Sequence, residues 1–469
     1  MTQATHPPLL ATSLLHTAPS HQDYCLPALN VISYRGPGQS ASVSTSLEPM
    51  VKQLQTKVSW FALAGQPKST KGLSRFTFYT PPANQALLDQ HAKFSCDYLR
   101  PLFHGMPDRA EFDPFAWKSF KQLNELMASE ALNTSSQSFP TLFWIHDYEL
   151  ALVAPIISVQ AGLIPCHFWH IPWPSPKLIL SSPVALEIVD AMLANRLIGF
   201  QTTEYATNFL TTVQELFPKA AVDVLKMSVR LERTTSKVVV MPFGIDVKFW
   251  QEKAKRSRAL AHVLARKYRC GHLVLGIDRL DSTKGILQKL DGLAEFLNAN
   301  PSWRKRFQYV QLTHADDQAG SSSNDYLQEL TDKISRINAH NAVGLWKPII
   351  HLQSNLDKGE LAAWYQAADV LAVNSFVEGL SLVAKEYIAS RLDDQGVLML
   401  SKGSGSVSEL GQGAIQIDPA SKQSFSNGLL EALVMSKEER RRRMQLLKRV
   451  VSWNSLQDWA IRFLSEALV

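Results

Sequence analysis

Short apolar runs alternate with amphipathic stretches along most of the chain. In the second half the runs are HLVLGI (residues 272–277), FQYVQL (307–312), DVLAV (369–373) and GVLML (396–400). Their length and β-branched or apolar content fit strands covered on both faces. Between the first two, Ile286, Leu287, Leu290, Leu293, Phe296 and Leu297 recur at helical spacing, predicting a helix with one apolar face from Gly285 onward. The first half keeps the same rhythm in NVIS (30–33), TLFWI (141–145) and LIGF (197–200), with long helical stretches between them. This alternation predicts an α/β protein with a parallel sheet in each half.

The halves meet near MPFGID (241–246), where a buried-strand pattern, VVVM, gives way to Pro242 and Gly244 and then to a charged helix, so an interdomain hinge is expected there. Two such domains facing across a cleft would bind ligands at the carboxyl ends of their strands. Residues 1–25 read as a loose arm. The uncharged stretch 151–169 approaches membrane-spanning length, but Pro155, Gln160, Pro165 and His167 interrupt it, and a buried helix followed by a buried strand is expected instead.

Composition narrows the function classes. A length of 469 residues with 45% hydrophobic content suffices for two ordinary cores. The net charge of +6, from 48 Lys plus Arg against 42 Asp plus Glu, is too diluted to mark a nucleic-acid surface and suits anionic small molecules. The basic run 437–449 leaves Met444, Leu447 and Val451 on one side and reads as a solvated helix face. Cys25, Cys96, Cys166 and Cys270 form no Cys-x-x-Cys pair, which fits a reducing cytosol, and the opening residues lack the basic start of a secretory signal. A cytoplasmic protein without membrane or nucleic-acid partners is expected, with a homo-oligomer possible.

Three segments could carry chemistry. GIDRLDSTKG (276–285) follows a strand and opens the amphipathic helix, so Arg279 and Lys284 could hold a diphosphate together with free N–H groups at the helix start; otherwise they are solvated loop charges. EGLSLVAKEYIAS (378–390) places Gly379 and Ser381 at another helix start, with Glu386 either accepting ribose hydroxyls or exposed on the helix surface. WIHDYEL (144–150) brings Asp147 to a strand's carboxyl end, and CHFWHIPWPSP brings His170 before a Pro-rich turn. Both could line the cleft, although a histidine after an apolar strand is commonly a satisfied core residue. His167 and His170 lack a third ligand at useful spacing, so no metal is expected.

These segments, with IGFQT (198–202), MPFGID, VLMLS and ALVMSKEER in the same order, resemble the trehalose-6-phosphate synthase and glucosylglycerol-phosphate synthase family, retaining glycosyltransferases of family 20 with GT-B architecture. The likeness runs from about Asn30 to the C-terminus. It implies two Rossmann-like domains, an acceptor-side one at 26–240 and a nucleotide-sugar-binding one at 241–451, with a terminal helix (452–469) crossing back to the first. It further implies glucosyl transfer from UDP-, ADP- or GDP-glucose to a small phosphorylated sugar or polyol, without metal or other cofactor. Carried over by residue, Arg279 and Lys284 would hold the donor diphosphate and Glu386 the ribose. Glu378, Gly379, Leu380, Ser381, Leu382 and Val383 would line the donor site. Asp147 and His170 would stand beside the transferred sugar and acceptor, and Arg35 would meet the acceptor phosphate. The family's chemistry is a same-face substitution in which positioning and leaving-group electrostatics do the work.

Four departures from the family pattern bear on the substrates. Polar and β-branched residues around Ser42 and Val43 replace a glycine pair, and Glu378 stands where most relatives have aspartate. Asp317 aligns with an arginine that would bind the acceptor phosphate, a repulsive exchange, and Arg100 replaces an aromatic residue. Together these point to an acceptor other than glucose 6-phosphate, such as glycerol 3-phosphate, unless Arg100 supplies the missing charge. A catalytically weak regulatory paralogue is the alternative expectation. A nicotinamide oxidoreductase is disfavoured, since no GxGxxG follows the first strand.

Overall fold

The computed structural model describes residues 26–37, 43–52, 54, 56–64, 76–134, 140–232, 234–314 and 322–469. Among these the chain builds two sheets. The first contains β1 (Ala28–Arg35), β2 (Val58–Ala64), β3 (Phe76–Tyr79), β4 (Thr141–His146), β5 (Leu163–Phe168), β6 (Leu197–Phe200), β7 (Ala221–Asp223), β8 (Ser228–Leu231) and β9 (Thr234–Val240). Its order is β3-β2-β1-β4-β5-β6-β9-β8-β7, parallel except where β8 and β7 turn back antiparallel at one edge. The second contains β10 (His272–Arg279), β11 (Phe307–His314), β12 (Ile349–Gln353), β13 (Val370–Val373), β14 (Val397–Ser401) and β15 (Ile415–Ile417), all parallel in the order β12-β11-β10-β13-β14-β15.

Strand periodicity explains the layering. In the second sheet Leu273, Leu275, Leu371, Val373, Leu398 and Leu400 face helices that include Val247–Arg256, Lys358–Ala367 and Leu382–Ser390. The alternate residues Val274, Val370, Ala372, Val397 and Met399 face the helices Ile286–Ala299 and Lys422–Val434. The helix predicted after Gly285 is Ile286–Ala299, and its six apolar positions are all buried. In the first sheet Ile32, Phe61, Phe143 and Ile145 pack under the helix Pro114–Thr134. The other face is covered by the C-terminal helix Leu456–Glu466, whose Leu456, Trp459 and Phe463 lie against Val31, Trp60, Trp144 and Phe168.

Residues 241–246 run beside the start of that helix. Leu456 N–H donates to the Ile245 carbonyl at 3.1 Å, and the Trp459 indole N–H donates to the Met241 carbonyl at 3.0 Å. A Cβ on Gly244 would lie 2.6 Å from the Asn454 carbonyl oxygen, so the two crossing segments need glycine there. The preceding strand is less buried than its sequence predicts, because β9 borders the antiparallel edge and leaves Val239 and Val240 half-exposed. The stretch 151–169 folds as the short helix Ala154–Ser158 followed by β5. Among the described residues no helix is long and apolar enough to cross a membrane.

Candidate active site

The carboxyl ends of β4 and β5 set one wall of the site. Asp147 follows β4 with φ of +68°, a conformation sparsely populated outside glycine, and its carboxylate Oδ1 accepts the N–H groups of Tyr148 at 3.0 Å and His170 at 3.3 Å. Its own carbonyl receives a ring nitrogen of His167 at 3.0 Å. The strained turn is thus tied to β5 on both sides.

Two residues further on, the Glu149 carbonyl accepts from His91 at 2.9 Å and from the Asn124 amide at 3.1 Å. His91 is fully buried between the rings of Tyr34 and Phe120, and burial lowers it to about 4, so the neutral ring donates through Nε2. Burial and the neighbouring charge of Asp147 raise the Glu149 carboxyl, against the pull of Arg35 and Arg100. Burial raises Asp147 as well, against the N–H groups that it accepts.

His170 is held from behind. The Phe243 N–H donates to Gln201 Oε1 at 2.8 Å, which turns the Gln201 amide nitrogen toward His170 Nδ1 at 3.4 Å. With Nδ1 accepting, His170 Nε2 carries the proton and donates to His146 Nδ1 at 3.0 Å. Burial lowers His170 to about 3, which keeps it neutral. Both ring nitrogens are therefore engaged with buried side chains, and His170 reaches Asp147 through its backbone N–H. Its ring matches the satisfied core histidine that its position after an apolar strand suggested.

The second wall is the loop after β10. Arg279 ends the strand, and Asp281 Oδ1 accepts the Thr283 N–H and hydroxyl, each at 2.9 Å. Asp281 Oδ2 forms an ion pair with Arg100 and lies 3.4 Å from Arg279 Nη2. Burial pushes Asp281 up, but Arg100 and Arg279 outweigh it and hold the carboxyl well below the usual range. Lys284 pairs with Glu378, whose other oxygen accepts the Ser375 hydroxyl at 3.1 Å. Below the loop, buried Lys289 pairs with Asp278, and Gln311 donates to that carboxylate at 2.8 Å, fixing the residue next to Arg279.

Glu378 begins the loop that meets the first wall. Its carbonyl accepts the Tyr205 hydroxyl at 3.2 Å, and a Cβ on Gly379 would stand 2.1 Å from the His170 carbonyl oxygen. Only a residue without a side chain fits between these backbones. Leu380 is half-buried against the first core, and Ser381 caps the helix Leu382–Ser390 by accepting the Ala384 N–H at 3.4 Å. Leu382 and Val383 are half-buried in the first turn and pack on the second core. Glu386 is 7% exposed, which corrects the reading of an exposed helix glutamate. Its Oε2 accepts the Tyr365 hydroxyl at 2.9 Å, Lys358 approaches Oε1 at 3.8 Å, and burial raises its carboxyl.

The structure brings Asp147, His170, Glu378, Gly379, Lys284, Arg279 and Arg100 into one contiguous path between the sheets. Arg35 ends β1, half-buried, and is joined to the path by its electrostatic influence on Glu149. Glu386 lies further along its helix, toward Lys358 and Tyr365. Sequence reasoning passed over Glu149 and Asp281. Each lay inside a quoted motif, the first two residues after Asp147 and the second between two cations. The expectations about Ser42 and Asp317 lie outside the described residues, whereas Val43 begins the helix Val43–Val51. Among the described residues no group of three or more His, Cys, Asp or Glu side chains could hold a metal ion.

The sequence profile of glycosyltransferase family 20 matches residues 39–468. Among characterised proteins, the UDP-forming α,α-trehalose-phosphate synthase of Candida albicans is 29% identical over 453 residues, covering 92% of this chain and 93% of that protein. The corresponding synthase of Yarrowia lipolytica is 30% identical over 390 residues, covering 81% and 82%. Among solved structures, a UDP-forming α,α-trehalose-phosphate synthase from Burkholderia vietnamiensis superposes with a TM-score of 0.84 at 26% identity, covering 94% of this chain and 98% of that one. The GT-B arrangement expected from the sequence is borne out by this likeness and by the two parallel-stranded sheets.

Proposed function

Because the chain belongs to glycosyltransferase family 20 and is a glycosyltransferase, we propose that it moves a glucosyl group from UDP-glucose to a small phosphorylated sugar or polyol, with retention of the anomeric configuration. The UDP-forming activity of its relatives supports the donor. The observation that carries the reading is the backbone contact of Gly379 with the His170 carbonyl, which joins the loop of Glu378 and Lys284 to the turn of Asp147.

In this reading Arg279 and Lys284 take the donor diphosphate. Each is paired with a carboxylate, Arg279 with Asp281 and Lys284 with Glu378. Diphosphate binding draws both cations toward the incoming anion, while Asp281 keeps the Thr283 N–H and hydroxyl and Glu378 keeps the Ser375 hydroxyl. Withdrawing Lys284 releases Glu378 to accept hydrogen bonds from hydroxyls of the transferred sugar. Glu386 accepts from the ribose, and Leu382 and Val383 offer backbone N–H groups at the helix start. The bond between the anomeric carbon and the diphosphate oxygen breaks with its electron pair leaving on the diphosphate. The acceptor hydroxyl adds on the same face and its proton passes to the leaving oxygen. Asp147, fixed in its strained turn, lies where positive charge grows on the sugar. Arg35, at the end of β1, meets the acceptor's phosphate.

Mass spectrometry of reactions offering UDP-, ADP- or GDP-glucose with glucose 6-phosphate, glycerol 3-phosphate or no acceptor tests this. A glucosylated phosphate formed from UDP-glucose is the expected result, and the acceptor used shows whether the Asp317 and Arg100 substitutions shift specificity. Failure to form product in every pairing, with UDP binding intact, favours the regulatory paralogue.

A further inference from the structure

We propose that Arg100 is a catalytic residue contributed by the first half of the chain, which with Arg279 of the second half clamps the departing diphosphate. The inference rests on the glycosyl-transfer reading above and assigns Arg100 to the leaving group rather than to the acceptor phosphate.

Arg100 starts the short helix Arg100–Phe103, a segment packed with the first sheet, yet its guanidinium crosses to the loop after β10 and pairs with Asp281 Oδ2. Arg279 contacts the same oxygen at 3.4 Å. Two guanidinium groups on one carboxylate oxygen stand at most about twice a hydrogen-bond length apart, close enough for both to reach oxygens of a single diphosphate. Lys284 belongs to the same cluster, since its charge acts on Asp281 together with those of Arg100 and Arg279. Three cations, Arg100, Arg279 and Lys284, thus converge on two carboxylates, Asp281 and Glu378. That surplus of positive charge lies at the loop that meets the leaving group.

Arg100 acts on Glu149 through space, whereas it touches Asp281, the partner of Arg279, directly. This difference favours the diphosphate over the acceptor. When the anomeric C–O bond breaks, the electron pair stays on the diphosphate, and the added negative charge falls between the two guanidinium groups while the acceptor proton moves to the leaving oxygen. A guanidinium from each half makes stabilisation of that charge depend on the halves being together. A second tie, Arg109 donating to the Ser282 hydroxyl, joins the same loop to the first half without placing its charge on Asp281.

Calorimetric titration of UDP into the full-length wild type and the Arg100→Ala, Arg100→Lys and Arg109→Ala variants, with steady-state kinetics on each, tests the assignment. In Arg100→Ala, UDP affinity is expected to fall about tenfold to a hundredfold, and kcat about 10²-fold or more, with the acceptor KM nearly unchanged. Arg100→Lys restores part of the UDP affinity because its charge remains, and Arg109→Ala binds UDP like the wild type. Unchanged UDP affinity with a raised acceptor KM in Arg100→Ala overturns the proposal in favour of the acceptor phosphate. Equal losses in Arg100→Ala and Arg109→Ala also overturn it, since both arginines then act merely as ties on the loop. Should Arg100→Ala fail to fold, UDP affinity and kcat in Arg100→Lys both equal to wild type count against a guanidinium clamp. A wild type that binds no nucleoside diphosphate overturns the glycosyl-transfer reading itself.

Discussion

Asp147 and Glu149 show how one turn can be costly to the fold and useful to the site. Both carboxyls are raised, mainly by burial, Glu149 to about 8, well above the unfolded value of roughly 4.3. An acid raised on folding binds more protons when native than when unfolded, so its contribution to stability falls as pH rises from the unfolded value to the folded one. Glu149→Gln removes that charge and is expected to raise Tm more at pH 8 than at pH 5, as scanning calorimetry on both proteins would reveal. An equal shift at the two pH values would mean that Glu149 is already ionised in the fold. Arg279→Ala and Lys284→Ala are each expected to lower kcat about 10²-fold to 10³-fold with little change in Tm, because they act on leaving-group charge. Rates near wild type would remove them from the donor site. Arg279 and Lys284 were legible because a compact loop between strand and helix holds both. The burial of Glu386 was not, since its cover comes from Tyr365, 21 positions away on another helix. His170 was legible as a position but not as an orientation, because Gln201 and His146 decide where its nitrogens point.

At the scale of elements, the loop from Glu378 to Ser381 is the joint on which the site depends. Gly379→Ala would drive a methyl group into the His170 carbonyl, and the least costly relief is separation of this loop from β5. A displacement of about 1 Å at the site is enough to lower turnover about 10²-fold. The expected outcome is therefore a large loss of kcat with only a modest change in Tm; wild-type kinetics would show that the two backbones need not touch during transfer. The strands buried on both faces, such as β10, β11, β13 and β14, were plain in the sequence because continuous apolar runs leave little alternative. The hairpin of β7 and β8 was not, since strands of three and four residues carry few buried positions. β15, also three residues long, was missed for the same reason of length.

For the whole molecule, the C-terminal helix is what makes two halves one protein. Trp459 is fully buried, with ring centroids 5.4 Å from Trp144, 4.8 Å from Phe168 and 4.6 Å from Phe243, so a residue from the end of the chain completes the core of its beginning. Trp459→Ala is expected to destabilise by about 3–5 kcal/mol in denaturant unfolding, the usual cost of such a core truncation. A loss below about 1 kcal/mol would mean that the helix is not docked in solution. The apolar spacing of Leu456, Trp459 and Phe463 was readable as a packing stripe, but nothing in that spacing said which sheet it would cover. The division into two α/β halves was readable from rhythm alone, while the path that unites their sites depends on contacts between residues more than a hundred positions apart, such as Arg100 with Asp281.

Glucosyl transfer with retention can be followed atom by atom. NMR of a reaction supplied with UDP-glucose carrying carbon-13 at the anomeric carbon, together with glucose 6-phosphate or glycerol 3-phosphate, follows that carbon from donor to product. The predicted result is a new α-glucoside of the phosphorylated acceptor that grows in step with UDP. A β-linked product, or free glucose alone with either acceptor, would contradict it.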